Sequence, residues 1–125
     1  MLASWLELPG AAERLAAWSD ISGLDLVRLG TTATAEEITD TAVTQPLVVA
    51  ATLLAHDELT KRGLLSRVDT VVAGHSVGEI AAYAIAGVIS ADDAVKLAAT
   101  RGAEMAKACA VEPTGMSAVL GGDEA

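Results

Sequence analysis

Aromatic side chains are nearly missing from this chain, which has two Trp, one Tyr and no Phe. Any core must therefore be built from Ala, Val, Leu and Ile, with helices approaching closely through small residues. Basic residues are scarce as well: Lys and Arg total 8 against 17 Asp and Glu, a formal net charge of −9. A nucleic-acid binder needs a basic face, so that class is excluded. The single cysteine, Cys109, excludes an internal disulfide and fits a reducing compartment. It is expected to be a small buried hydrophobe on a helix. Long apolar runs are also missing. The longest uncharged stretch, Thr41 to Ala55, is interrupted by Gln45 and Pro46 and is too short to span a bilayer. No basic segment precedes an apolar one at the N-terminus, so no signal peptide is expected. These absences describe a cytoplasmic protein without a membrane or nucleic-acid partner. The 125 residues, 52% of them hydrophobic, suffice for one modest domain with a core.

What is present is organised around Gly74-His75-Ser76-Val77-Gly78-Glu79. The preceding run, Val68 to Ala73, is short and rich in β-branched residues, which predicts a buried strand. The following alanine-rich stretch, Ile80 to Gly87, predicts a closely packed helix. Gly-x-Ser-x-Gly between strand and helix is the setting of a nucleophile elbow. Two glycines without Cβ atoms are expected to let strand and helix approach while Ser76 takes a strained backbone conformation. Its hydroxyl would then stand over the first helical turn, where free N–H groups and the dipole favour an anion. The backbone N–H of Val77 is the expected first donor of an oxyanion hole.

The rest of the chain reads mainly as helices. Ala11 to Trp18 is expected to be a short helix with Leu15 and Trp18 on one face, and Asp20 to Leu29 a loop or short helix. Thr34-Ala35-Glu36-Glu37 has capping-box spacing, and its acids read as a solvated first turn. Thr44-Gln45-Pro46 is expected to start a long helix with Pro46 at its first position. That helix would carry Leu47, Val48, Ala51, Leu54 and Ala55 on its core face and end before a capping Gly63. His56 on it reads as a surface or half-buried residue rather than a base. Ser90-Ala91-Asp92-Asp93 predicts a capped helix running to about Cys109, with Ala94, Leu97, Ala98, Arg101 and Met105 on one face. Arg101 stands out on that small-residue stripe. From the residues alone it is either a snorkelling or salt-bridged arginine, with Glu104 as the candidate partner, or a bidentate clamp for a substrate carboxylate. After a turn at Glu112 to Gly115, Met116 to Leu120 reads as a strand.

Taken together, the Thr44-Gln45-Pro46 helix, Gly-His-Ser-Val-Gly-Glu at 74 to 79, Ala86-Gly87-Val88-Ile89, Thr100-Arg101-Gly102 and Pro113-Thr114-Gly115-Met116 resemble the malonyl-CoA:acyl carrier protein transacylases. The stand-alone bacterial type is the nearer likeness, and polyketide acyltransferase domains share the elbow. The resemblance implies a ping-pong transfer in fatty acid or polyketide biosynthesis. Ser76 would take malonyl from coenzyme A as an ester and pass it to the phosphopantetheine thiol of acyl carrier protein. It also implies that Arg101 pairs with the free malonyl carboxylate, which favours the clamp, and that His75 lies near the site without being the base. No cofactor and no metal are implied; malonyl-CoA and acyl carrier protein are substrates. Lys61, Arg62 and Arg67 are candidates for a local basic patch toward an acidic carrier protein.

Two departures shape the expected architecture. The family opens with a strand and a Gly-Gln-Gly loop bearing the second oxyanion donor, and its general-base histidine lies far downstream; neither has a match here. The expectation is an N-terminal portion of an α/β protein with an incomplete α/β-hydrolase-like parallel sheet core and flanking helices. Residues 1–112 would form the incomplete large subdomain and 113–125 the start of a small ferredoxin-like subdomain. Such a portion is expected to be inactive by itself, and marginally stable or self-associating. The competing functions are a serine esterase or thioesterase of α/β-hydrolase type and a non-catalytic interaction domain.

Overall fold

The computed structural model describes residues 2–65, 70–112, 117 and 120–122. Five α-helices follow one another: α1 (Ala11–Ser22), α2 (Leu26–Thr31), α3 (Thr41–Lys61), α4 (Val77–Ile85) and α5 (Ala91–Val111). The long helices α3 and α5 pack against each other, α4 lies against both, and α1 and α2 close one side. The core is aliphatic around one tryptophan: Leu15 and Trp18 of α1, Leu26 of α2, Leu47, Val49 and Leu53 of α3, Ile80 of α4, and Val95 of α5. Each such side chain contributes roughly 1.5–3 kcal/mol by leaving water. Trp18 also ties α1 to the start of α5, its Nε1–H donating to Asp92 Oδ1 at 2.9 Å.

Local signals account for most helix ends. Ser90 caps α5, its hydroxyl accepting from the Asp93 N–H at 3.0 Å. Gly63, in a left-handed conformation (φ 68°), follows α3. Its N–H donates to the Thr60 carbonyl and that of Leu64 to the Leu59 carbonyl, the bond pair of a Schellman motif. At Thr34 the expected box closes: Glu37 N–H donates to Thr34 Oγ1 (3.2 Å) and Thr34 N–H to Glu37 Oε2 (3.0 Å). The turn it opens is a short 3-10 helix, Glu37–Thr39.

Several expectations are corrected. The helix expected to start at Pro46 starts at Thr41, because Asp40 caps it first, accepting from the Ala42 N–H at 2.8 Å. Pro46 therefore sits buried inside α3, where it removes the hydrogen bond its N–H would have made to the Ala42 carbonyl. The buried face of α3 holds Val49, Ala50 and Leu53 rather than Val48, Ala51 and Ala55, because a helix apolar nearly all round does not mark its own core side. On α5 the inward stripe is Ala94, Val95, Ala98 and Gly102, and Leu97 is exposed. Cys109 is exposed too, since no described residue after Met105 on α5 is buried.

No strand occurs among the described residues. Of the stretch expected as a strand, 68 and 69 lie outside them, and Thr70 to Ala73 are not in a strand. Propensity supplies a strand's residues but not the neighbour that pairs with them. Most of the strand expected at 116–120, and the boundary expected at 113, also lie outside the described residues.

Candidate active site

Ser76 is the residue before α4, with φ 56° and ψ −116°. Among the described residues it is the one non-glycine with positive φ. A serine held there costs of order 1–3 kcal/mol and must be fixed by its surroundings. The turn is closed by the Gly78 N–H donating to the His75 carbonyl (3.0 Å) and the Glu79 N–H to the Ser76 carbonyl (3.1 Å). Gly74 makes the closure sterically possible. A Cβ there would overlap the Gly78 carbonyl and stand 2.5 Å from the Glu79 nitrogen. The second glycine was expected to share this task and does not: a Cβ on Gly78 would meet nothing within 4 Å.

Val77 N–H, first in α4, has no hydrogen-bond partner among the described residues. It and the positive end of α4 directly follow Ser76 in the chain. Arg101 reaches that hydroxyl from α5, its Nη2–H donating to Ser76 Oγ at 3.2 Å. Glu104, the alternative partner considered for Arg101, pairs instead with Lys107 at 2.8 Å.

Gln45, which sequence reasoning passed over, holds the other side of the guanidinium. It is 4% exposed, and its Oε1 accepts from Arg101 Nη1 at 2.5 Å. Its Nε2 donates to Met105 Sδ at 3.0 Å. The arrangement depends on how α5 crosses α3. A Cβ on Gly102 would overlap the Thr41 carbonyl oxygen and lie 3.1 Å from Ala42 Cα, and Thr41 Oγ1 donates to the Gly102 carbonyl at 3.2 Å. Contact at Thr41 and Gly102 sets Arg101 against Gln45, one turn further along α3.

The other candidates lie apart. His75 is exposed, and no hydrogen bond joins its imidazole to Ser76 among the described residues. His56 is half-buried with Nδ1 3.9 Å from Asp57 Oδ1, and Asp57 pairs with Arg14. It lines an open cavity of about 810 Å³ beneath Val71, Val72 and Ala73 that includes neither Ser76 nor Arg101. Arg62 is paired with Glu58 at 2.6 Å, and Arg67 lies outside the described residues. No group of three potential metal ligands occurs among the described residues, and no helix there is long and apolar enough to cross a membrane.

The acyl transferase domain model matches residues 5–124. The chain belongs to that family. Among acyltransferase relatives, it is 89% identical over 125 residues to the malonyl CoA-acyl carrier protein transacylase of Mycolicibacterium smegmatis, covering all of this chain and 43% of that protein. The crystal structure of MCAT from Mycobacterium tuberculosis superposes with a TM-score of 0.90 at 77% identity, over 98% of this chain and 40% of that one. A second acyltransferase structure, PlMCAT:AntF (holo), shows a type II PKS acyl-carrier protein in complex with its malonyl-transacylase. It superposes with a TM-score of 0.75 at 34% identity, over 86% and 35% of the two chains. The chain thus spans about two fifths of the length of these relatives. The likeness supports an acyltransferase fold; the described residues are its helical part.

Proposed function

We propose that this chain carries the nucleophile and the acid-recognition group of a malonyl-CoA:acyl carrier protein transacylase serving fatty acid or polyketide biosynthesis. The observation that carries the reading is the 3.2 Å contact of Arg101 with Ser76 Oγ, on a serine whose backbone is strained at φ 56°. An acyl group esterified to that oxygen and ending in a carboxylate would meet a cation within its own length. Relatives named for malonyl transfer support the same choice.

In this reading the turn at Ser76 is a nucleophile elbow, and Ser76 Oγ attacks the thioester carbon of malonyl-CoA while its proton passes to a base. Neither His56 nor His75 is hydrogen-bonded to Oγ, so the base is assigned to a residue outside the described ones. The tetrahedral oxyanion accepts from Val77 N–H at the start of α4. Collapse breaks the carbon–sulfur bond, coenzyme A leaves with a proton as the free thiol, and malonyl-Ser76 remains. The phosphopantetheine thiol of acyl carrier protein then attacks that ester, and Ser76 regains its proton. Arg101 exchanges its bond to Oγ for one to the malonyl carboxylate. An acetyl group would leave the guanidinium without that partner, which is the basis of selection.

The reading extends to the fold. Residues 68–73 would be one strand of the parallel sheet of an α/β-hydrolase-like core, and 113–125 the start of the small ferredoxin-like subdomain. The protein would work in the cytoplasm, and the chain taken alone would tend to self-associate through Val71 and its neighbours.

The test is intact mass of the complete natural polypeptide after mixing with malonyl-CoA or acetyl-CoA, for the wild type, Ser76→Ala and Arg101→Ala. A malonyl adduct absent from Ser76→Ala, with the preference over acetyl lost in Arg101→Ala, is the expected result. Equal labelling of Ser76→Ala would overturn the assignment of the nucleophile.

A further inference from the structure

Arg101 differs from the other described arginines in its partners. Arg14, Arg28 and Arg62 each face a carboxylate, of Asp57, Glu37 and Glu58. Arg101 is held by a neutral amide and a hydroxyl, and no carboxylate among the described residues pairs with it. The amide is buried, and burying a polar group inside a helix pair is unfavourable unless it is hydrogen-bonded. Gln45 has a partner at each end, Arg101 on Oε1 and Met105 Sδ on Nε2. This double anchorage fixes which end of the amide faces the guanidinium, since the reversed amide would set N–H against N–H.

We propose that Gln45 is a positioning residue for Arg101: it aims the guanidinium at the Ser76 oxygen while leaving its charge for the incoming acyl group. A glutamate would reach equally far and accept the same hydrogen bond, but it would satisfy the cation internally. The arginine would then offer no uncompensated charge to a substrate carboxylate, and acyl groups with and without a terminal acid would be treated alike. An apolar residue of similar volume would keep the charge and lose the aim. Selectivity for acid-bearing acyl groups therefore depends on the neutrality of position 45 as much as on the cation at 101. The inference rests on the proposed role of Arg101 as the carboxylate's partner.

The decisive experiment measures kcat/KM for transfer from malonyl-CoA and from acetyl-CoA in the complete natural polypeptide. Wild type, Gln45→Glu, Gln45→Leu and Arg101→Ala are compared, with a thermal melt of each. The expected result is a fall of about 10- to 100-fold in the malonyl-to-acetyl ratio for Gln45→Glu, the range of one charge-assisted hydrogen bond. For Gln45→Leu a fall of about tenfold is expected, mainly through KM for malonyl-CoA. A role in packing alone would lower both substrates together and leave the ratio unchanged. If Gln45→Glu misfolds, Gln45→Leu reads the same ratio. An unchanged ratio in the Gln45 variants with a collapsed ratio in Arg101→Ala overturns the role of Gln45 and leaves that of Arg101 standing. An unchanged ratio in all three overturns both.

Discussion

The α3–α5 crossing and the segment Thr70 to His75 meet at the Ser76–Arg101 contact, yet they are held in different ways. The crossing is buried and internally complete: Gly102 lies on Thr41, Gln45 is satisfied at both ends, and no buried side-chain polar atom among the described residues lacks a partner. The segment is apolar but uncovered, with Val71 92% exposed. Helix-to-helix contacts suffice to fix the cation. The backbone of the serine is held by the turn that Gly74 presses against the start of α4, and its hydroxyl by Arg101. Strain at Ser76 is thus stored where a local steric fit, rather than a surrounding core, must contain it.

The two glycines give the sharpest way to break the comparison. Gly74→Ala puts a methyl into the Gly78 carbonyl, which is backbone and cannot swing aside. We expect it to cost about 3 kcal/mol, at the upper end for overpacking, and to abolish malonyl labelling. Gly102→Ala also meets backbone, at Thr41, but gains helix propensity of about 0.5–1 kcal/mol, so a net loss of about 1–2 kcal/mol is expected. Urea melts and intact-mass labelling of both variants check this. Equal melting losses, or full labelling by Gly74→Ala, would remove the asymmetry.

Ser76→Gly tests the strain itself and carries the opposite sign. Glycine accepts φ 56° freely, so the relief of strain should exceed the added chain entropy and stabilise by about 1 kcal/mol. A higher thermal midpoint with no adduct is the expected pair of results. A lower midpoint would mean that the Arg101 bond to Oγ outweighs the strain.

How much of this was legible depended on whether the signal was local. The capping box at Thr34, the Ser90 cap and the glycine after α3 are fixed by residues a few positions apart, and each took its expected form. Pro46 misled because a rule for first positions was applied without weighing Asp40, a stronger start signal six residues earlier. Sequence reasoning singled out Arg101 as a charge on an apolar stripe. Gln45 bears the same mark on α3, a polar residue beside Pro46 and Leu47, and the same argument would have found it. The contact between them spans 56 positions, and only the crossing at Gly102 brings it about. Strand pairing for Thr70 to Ala73 was not legible at all, because it is a property of two segments and propensity describes one.

The smallest expected effect concerns the capping box, which lies away from both regions. The Thr34 backbone N–H, and next the Arg28 guanidinium, hold the Glu37 carboxyl below the usual carboxylate range. A carboxyl lowered in the folded state stabilises fully above its unfolded value, about 4.3, and loses that contribution as pH falls through the folded one. Glu37→Gln imitates the protonated acid. It should melt slightly below the wild type at pH 7, and the two curves should converge under acid, as pH falls through the lowered folded-state value. Because Glu37 is exposed, added salt should shrink the share owed to Arg28 and leave the part due to the Thr34 N–H. The box opens a turn joined to α3 only near its start, where the Thr44 hydroxyl donates to the Ile38 carbonyl. The change should therefore leave malonyl labelling of Ser76 untouched. A gap between the two melts that stays constant from neutral to acid pH would show that the charge of Glu37 contributes nothing and that its packing alone matters.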